Sequence, residues 1–259
     1  MLRAFILLLL LVQSCGEFNV SPYISKTSNS RTNSKQLSLI SNNEAAAPTS
    51  FKIAVISDTH NYYKELEEQV EYINERKNEY EFVIVAGDIT NLGLLREYEM
   101  TKRLLEKLSI PYIVAAGNHD LLSNGESIYD QMFGSSNFSF VYKQTKFIVF
   151  NNNNWEATGK IPDLDFVESE LASSSSSNNV LISHVSPEDR DRWNEAQRNE
   201  FSKLVSDYSV DYYLNGHDHN PTCSNFSTAT RCTIGASVKG KILELNLSNT
   251  GVGHQHVKF

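Results

Sequence analysis

Short apolar runs alternate with amphipathic segments from residue 51 onward, and this alternation most constrains the fold. Residues 51–57, 81–86 and 112–115 are apolar enough to be buried strands. Between them, residues 63–77 and 94–108 repeat apolar side chains at intervals of three and four, the period of a helix. Because short connections and crossover helices join parallel strands, this β-α-β-α-β order predicts a parallel sheet.

The remaining elements extend the same domain. Further strands are predicted over residues 139–142, 147–150, 180–182, 211–214 and 241–247, and further helices over 163–171 and 195–208. No internal repeat and no second domain boundary interrupts this pattern, so we predict one domain over residues 51–259.

Aspartate, asparagine and histidine follow five of the predicted strands. They are Asp58 and His60, Asp88, the run Asn118, His119 and Asp120, then His184, and finally His217 and His219. In open α/β sheets, ligands bind at the carboxyl ends of the strands, so these side chains are expected to converge. Carboxylate, amide and imidazole donors suit Mn, Fe or Zn, and a single carboxylate can bridge two such ions.

Taken in order, these groups resemble the motifs of the calcineurin-like metallophosphoesterase superfamily. Asp-x-His, Gly-Asp, Gly-Asn-His-Asp, His and Gly-His-x-His all occur between residue 51 and about residue 240. The resemblance implies an α/β fold in which two mixed β-sheets pack face to face, with helices outside. It also implies a metal-dependent phosphohydrolase that acts on a small phosphorylated substrate with two divalent or trivalent ions, Mn, Fe or Zn.

The resemblance also implies a role for each residue. Asp58, His60 and His219 would hold the first ion, Asn118, His184 and His217 the second, and Asp88 would bridge both. His119 would protonate the leaving oxygen, and Asp120 would hydrogen-bond the His119 imidazole and fix its tautomer. The alternative function is a non-catalytic, surface-anchored binding lipoprotein on the same fold, which is disfavoured because none of these ligands is missing.

Within the superfamily, residues 87–93 followed by Glu97 and Tyr98 resemble the cyclic-nucleotide phosphodiesterase branch. Asn91 stands where the purple acid phosphatase branch has a ligand tyrosine. The substrate stays open at this point. Cyclic nucleotides, phosphomonoesters, phospholipid head groups and nucleotide pyrophosphates all fit the motifs.

The first residues predict export. A basic start and an apolar run over residues 4–12 fit a signal peptide over residues 1–14, because the run is too short to span a bilayer of about 30 Å. Ser14 and Cys15 resemble the lipobox of bacterial lipoproteins, which implies a lipid on Cys15 and membrane anchoring in the cell envelope, periplasmic or surface. The alternative is an ordinary signal peptide with an incidental Cys15.

Residues 15–50 are rich in Ser and Asn and predict a flexible tether between the anchor and the domain. The side chains of this segment could not bury enough apolar area to offset the entropy lost when the segment becomes ordered. The alternative is a short strand formed by Leu37, Leu39 and Ile40 on the domain.

Composition excludes other classes. The net charge is −8, with 31 acidic and 23 basic residues, so general nucleic-acid binding is not expected. Three cysteines cannot form a disulfide scaffold. With Cys15 lipidated, Cys223 and Cys232 remain, either as a disulfide or as two unpaired cysteines.

Two polar groups lie outside the motifs. His254 and His256 alternate near the C-terminus and are predicted to share one face of a strand without a metal role. Residues 151–154 are four consecutive asparagines, which predict a solvated turn, with a loop over the site as the alternative.

Overall fold

The structure is a computed structural model that describes residues 21–43, 50–248 and 251–259. The predicted signal peptide of residues 1–14 and the predicted lipid attachment at Cys15 therefore lie outside the described residues. Within the described ranges, no helix combines the length and the apolar character that a membrane crossing requires.

Helices and strands alternate over residues 51–114 as the apolar pattern predicts, and the structure adds elements at residues 125–132, 222–226, 229–233 and 251–258 that were not predicted. The helices are α1 (Thr32–Asn43), α2 (Tyr63–Glu75), α3 (Leu95–Leu105), α4 (Gly125–Met132), α5 (Leu164–Ala172) and α6 (Glu195–Asp207). The strands are β1 (Phe51–Ile56), β2 (Val83–Val85), β3 (Tyr112–Val114), β4 (Phe138–Tyr142), β5 (Thr145–Val149), β6 (Asn178–Ile182), β7 (Tyr212–Asn215), β8 (Thr222–Phe226), β9 (Ala229–Thr233), β10 (Lys241–Ser248) and β11 (Gly251–Lys258).

The strands form two mixed sheets. The first has the order β11-β10-β1-β2-β3, in which β1, β2 and β3 are parallel and β10 and β11 antiparallel. The second has the order β4-β5-β6-β7-β9-β8, with antiparallel strands only at its two edges. The predicted α/β fold with two mixed sheets is confirmed.

The two sheets pack face to face over a shared apolar core. Ile53 and Ile84 from the first sheet pack in one cluster with Phe147, Ile182 and Leu214 from the second. Alternate residues of β1 and β2 point to the other face and pack under α2 and α3. These central strands are buried on both faces, which explains their unbroken apolar sequence.

Helix α1 corrects the prediction of a flexible tether. It covers the open edge of β3, where the Asn33 side chain both donates to the Val114 carbonyl at 2.8 Å and accepts from the Val114 N–H at 2.9 Å. Gln36 accepts from the Tyr112 N–H at 3.2 Å, and Ile40 is buried in the core. The predicted tether and the alternative strand are both wrong for Thr32–Asn43, which is a helix. Its polar side chains form hydrogen bonds with the backbone of an edge strand.

The C-terminal half carries the predicted disulfide. Cys223 and Cys232 are opposite one another on β8 and β9 and are joined by a disulfide bond. His254 lies near both sulfur atoms, but these are bonded to each other, and its Nδ1 lies 2.7 Å from the Tyr212 hydroxyl. These three residues therefore cannot bind a metal through a thiolate while the disulfide bond is intact.

Candidate metal centre

The seven predicted metal ligands lie together beyond the carboxyl ends of β1, β2, β3, β6 and β7. These residues are Asp58, His60, Asp88, Asn118, His184, His217 and His219. Five of them are buried, with exposed fractions between 0% for Asp58 and His184 and 5% for Asn118. Buried carboxylate and imidazole groups at this density require a compensating cation or proton.

The backbone is strained where it delivers these side chains. Asp58, His60, Asp88, His217 and His219 all have positive φ angles, of 50°, 40°, 53°, 70° and 56°. Such angles cost a non-glycine residue about 1–3 kcal/mol and cluster at functional sites. Backbone hydrogen bonds between the loops after β1 and β2 hold two of them, since the Asp58 N–H donates to the Gly87 carbonyl at 3.0 Å and the His60 N–H donates to the Asp88 carbonyl at 2.9 Å.

Gly117 is required by the close approach of two loops. A Cβ atom on this residue would overlap the backbone and the carboxylate of Asp88. The glycine that precedes Asn118 therefore lets the loop after β3 lie directly against the loop after β2.

One group of ligand atoms consists of Asp58, His60 and His219, all within 4.8 Å of one another. Nε2 of His219 lies 3.4 Å from Oδ1 of Asp58 and 3.3 Å from Nε2 of His60. His60 donates from Nδ1 to the Thr90 carbonyl at 3.0 Å, which leaves its Nε2 facing the group. Two imidazole nitrogens and a carboxylate oxygen that face one another suit a cation between them.

The second group consists of Asp88, His184 and His217, also within 4.8 Å. His184 donates from Nδ1 to the Ala86 carbonyl at 2.8 Å, while its Nε2 lies 3.1 Å from Oδ2 of Asp88. That Nε2 atom is buried and has no hydrogen-bond partner among the described residues. An orphaned buried nitrogen beside a carboxylate fits a metal ligand.

Asn118 and Asp88 complete the arrangement. Oδ1 of Asn118 lies 3.0 Å from Nδ1 of His217, which adds an amide oxygen to the second group. Oδ2 of Asp88 lies 3.6 Å from Nε2 of His60 and 3.1 Å from Nε2 of His184. A single carboxylate oxygen therefore stands between the two groups.

The buried side chains of the site shift one another's pKa values. Burial acts to raise the pKa of Asp88, but the nearby charge of His184 outweighs this and lowers it to about 2. Burial acts to lower the pKa of His184, but Asp88 raises it to about 10. Burial also raises the pKa of Asp58. The close contact between His184 and Asp88 therefore dominates the electrostatics of the second group.

The predicted contact between Asp120 and His119 is wrong. The Asp120 carboxylate accepts from the Thr90 N–H and the Gly117 N–H, each at 2.9 Å, and burial raises its pKa to about 7. His119 instead donates from Nδ1 to the Asn91 carbonyl at 2.7 Å. Both residues lie in a 3-10 turn, where successive side chains point in different directions, so Asp120 turns inward and ties two loops together.

The prediction of a solvated turn for residues 151–154 is also wrong. Asn151, Asn152 and Asn153 are buried, with exposed fractions of 3%, 1% and 0%. Oδ1 of Asn152 accepts from the backbone N–H groups of His184 and Val185, at 3.3 and 3.0 Å. These asparagines come two to four residues after the end of β5, at the same edge of the sheet as the proposed ligands, so their position after a strand could have indicated burial beside the site.

Sequence reasoning missed a cluster of four residues beside His217. Oδ2 of Asp189 lies 3.4 Å from Nε2 of His217. Arg192 forms a two-point ion pair with Glu156, at 2.7 and 2.8 Å, and its guanidinium lies 4.5 Å from the ring centre of Trp155. These residues lie in two loops and belong to no spacing pattern, so only the fold brings them together.

Comparisons with known proteins place this site in context. A family model described as calcineurin-like phosphoesterase matches residues 51–221. A probable cyclic nucleotide phosphodiesterase of Xenorhabdus bovienii is 27% identical over 176 residues, which cover 60% of this chain and 67% of that protein. A probable glycerophosphodiester phosphodiesterase of Arcobacter nitrofigilis is 32% identical over 84 residues, which cover 28% of this chain and 31% of that protein.

The fold also matches solved structures. Purple acid phosphatase from yellow lupin (Lupinus luteus) seeds superposes with a TM-score of 0.67 at 13% identity, over 82% of this chain and 52% of that chain. At this identity the likeness concerns the fold alone.

Proposed function

Because the chain belongs to the calcineurin-like phosphoesterase family, we propose that it hydrolyses small phosphodiesters with the help of two metal ions. Membership of this family makes the protein a metal-dependent phosphohydrolase. The observation that carries the dinuclear proposal is the position of Asp88. Its Oδ2 reaches both ligand groups, at 3.1 Å from His184 and 3.6 Å from His60, as a bridging carboxylate must.

The residues would divide between the two ions. Asp58, His60 and His219 would hold one ion, Asn118, His184 and His217 the other, and Asp88 both. This mixture of oxygen and nitrogen donors suits Mn, Fe or Zn. When bound, such ions supply positive charge for the phosphoryl oxygens and acidify a water molecule at neutral pH.

His119 supplies the proton in this proposal. Its Nδ1–H is committed to the Asn91 carbonyl, so Nε2 is the ring nitrogen that would offer a proton to a leaving oxygen. The His119 ring packs edge-on against His60 at 4.8 Å between centres, which keeps it beside the first ligand group. General acid catalysis of this kind contributes about 10²–10⁴-fold to a rate.

A phosphodiester is the favoured substrate class. Both related proteins are named for phosphodiesterase activity, one on cyclic nucleotides and one on glycerophosphodiesters. The alternative of a non-catalytic binding protein is not favoured, since every predicted ligand is present and converges on one place.

Export and membrane anchoring through Cys15 stay part of the proposal. They rest on the sequence of residues 1–15, and the Cys223–Cys232 disulfide fits an oxidising compartment. Mass spectrometry of the mature N-terminus tests this. A lipid-modified Cys15 supports the anchor, and an unmodified start at another residue contradicts it.

One side-by-side assay tests the proposed reaction. Metal-stripped protein is reloaded with Mn, Fe or Zn and given a phosphodiester and the matching phosphomonoester. We expect metal-dependent hydrolysis with a faster rate on the diester. Faster hydrolysis of the monoester would contradict the substrate class, and equal activity in a chelator would contradict the metal dependence.

A further inference from the structure

Asp189 contacts a proposed metal ligand although it lies outside every motif of the site. Its Oδ2 is 3.4 Å from Nε2 of His217, and the opposite ring nitrogen, Nδ1, is 3.0 Å from Oδ1 of Asn118. Imidazoles that bind a metal through one nitrogen commonly donate the other N–H to a carboxylate or carbonyl. We propose that Asp189 is the positioning residue for His217. Its carboxylate accepts a hydrogen bond from the Nε2–H group, so that Nδ1 faces the ion. The proposal rests on the dinuclear site proposed above.

The two buried ligand histidines are held differently from His217, which is half-buried. His60 and His184 donate from Nδ1 to the backbone carbonyls of Thr90 and Ala86, so their Nε2 atoms face the ligand groups. His217 is turned the other way round, with Nδ1 toward its fellow ligand Asn118 and Nε2 toward a side chain. At His217 a point substitution can therefore remove the partner and leave the backbone intact.

The Asp189 carboxylate is held in place by its own loop. Its Oδ1 accepts from the backbone N–H groups of Asp191 and Arg192, at 3.1 and 3.2 Å. Nε of Arg192 lies 3.9 Å from Oδ2, and Arg192 is itself held by Glu156. One oxygen of Asp189 thus anchors the loop and the other is directed to His217, so little side-chain entropy remains to be lost.

Charge also favours this orientation. Nδ1–H of His217 could donate to the amide oxygen of Asn118, and Nε2–H could donate to the carboxylate of Asp189. An ionised carboxylate is the stronger acceptor of the two. The proton therefore resides on Nε2, and Nδ1 keeps the lone pair that a metal needs.

A set of three variants tests the proposal by metal binding. Asp189→Ser keeps an oxygen for the loop N–H groups but is too short to reach His217, and Asp189→Asn keeps an acceptor without its charge. Asp191→Asn is the matched control, because Asp191 is exposed in the same loop and loses the same charge. Metal-stripped proteins are titrated with Mn²⁺ or Zn²⁺ against a competing chelator.

We expect wild-type protein to take up two equivalents. In Asp189→Ser one equivalent should bind about 10–100-fold more weakly while the other is retained, with a smaller loss in Asp189→Asn. The Asp191→Asn control should bind like wild type. Wild-type affinities in Asp189→Ser, or equal weakening of both equivalents in all three variants, would overturn the proposal.

A metal-free measurement separates this proposal from the dinuclear one. Nitrogen-15 NMR of the ring nitrogens should find the His217 proton on Nε2 in wild type and shared between Nε2 and Nδ1 in Asp189→Ser. A wild-type proton on Nδ1 would overturn the role of Asp189. A proton on Nε2 that depends on Asp189, in a protein that binds fewer than two ions, would support the contact and contradict the dinuclear site.

Discussion

The backbone N–H of His119 donates to Oδ1 of Asp88 at 2.8 Å. The residue proposed as general acid is therefore joined through its main chain to the carboxylate proposed to bridge the metals. Its side chain makes a separate bond, from Nδ1 to the Asn91 carbonyl at 2.7 Å. The contact to Asp88 survives any substitution of the imidazole, so the two roles can be separated experimentally.

His119→Ala should keep both metal ions and lose about 10²–10⁴-fold in kcat on a diester with a poor leaving group. The loss should be smaller for a nitrophenyl ester, because a nitrophenolate leaves without protonation. Elemental analysis and parallel rates on both substrates check this. Loss of metal from His119→Ala, or equal slowing of both substrates, would contradict the assignment as general acid.

Asn33→Ala should lower the free energy of unfolding by about 1–3 kcal/mol, because it leaves the Val114 N–H without its partner and removes one of two donors to the Val114 carbonyl, the other being the Tyr129 hydroxyl at 2.6 Å. Urea denaturation measures the change. Ser34→Ala is the control, since Ser34 is an exposed neighbour in the same helix. Equal stability of the two variants would show that α1 does not dock on β3 in solution.

Glu244→Gln should destabilise the protein in a pH-dependent way. The carboxylate of Glu244 accepts from Tyr80 and Gln255, each at 2.5 Å, and Nζ of Lys52 lies 3.3 Å away. Burial acts to raise the pKa of Glu244, but these partners lower it below its ordinary value of 4.5. A lowered folded-state pKa adds stability above pH 4.5, and this is lost as the pH falls through the folded pKa.

We therefore expect Glu244→Gln to lose about 1.5–3 kcal/mol at neutral pH. The gap to wild type should close in acid. Denaturation at several pH values checks this, with Glu75→Gln as the control because its side chain is 74% exposed. A gap of the same size in acid and at neutral pH would show that the charge of Glu244 is not responsible.

Replacing both Cys223 and Cys232 by alanine should cost about 2–3 kcal/mol of stability, because their bridge closes a loop with a sequence separation of 9. The bridge joins edge strand β8 to β9, and neither cysteine belongs to the proposed metal groups, so metal content should not change. Thermal unfolding and elemental analysis measure both. An unchanged melting temperature would contradict a stabilising role for the bridge.

The parts of the fold that the sequence predicted are those with a local signal. β1, β2 and β3 are short apolar runs between helical periods, and both features are visible within a few residues. The convergence of the proposed ligands was predictable for a related reason. Each follows a strand directly, and the carboxyl ends of parallel strands meet at one edge of the sheet.

The features that were missed depend on tertiary contacts. The sequence of α1 is polar and gives no sign that Asn33 and Gln36 accept hydrogen bonds from the backbone of the edge strand β3. Asp120 follows His119 in sequence, but its direction is set by the turn and by its contact with Thr90. Asp189 approaches His217 only because two loops fold over the same strand ends.

Counting metal ions in active protein, in wild type and in Asp88→Asn, tests the central claim most directly. Oδ2 of Asp88 stands between the two ligand groups, so the amide should lower the occupancy of both ions together with the rate of diester hydrolysis. The account predicts two ions per chain in wild type and a loss from both positions in Asp88→Asn. One ion or none in fully active wild-type protein would contradict it.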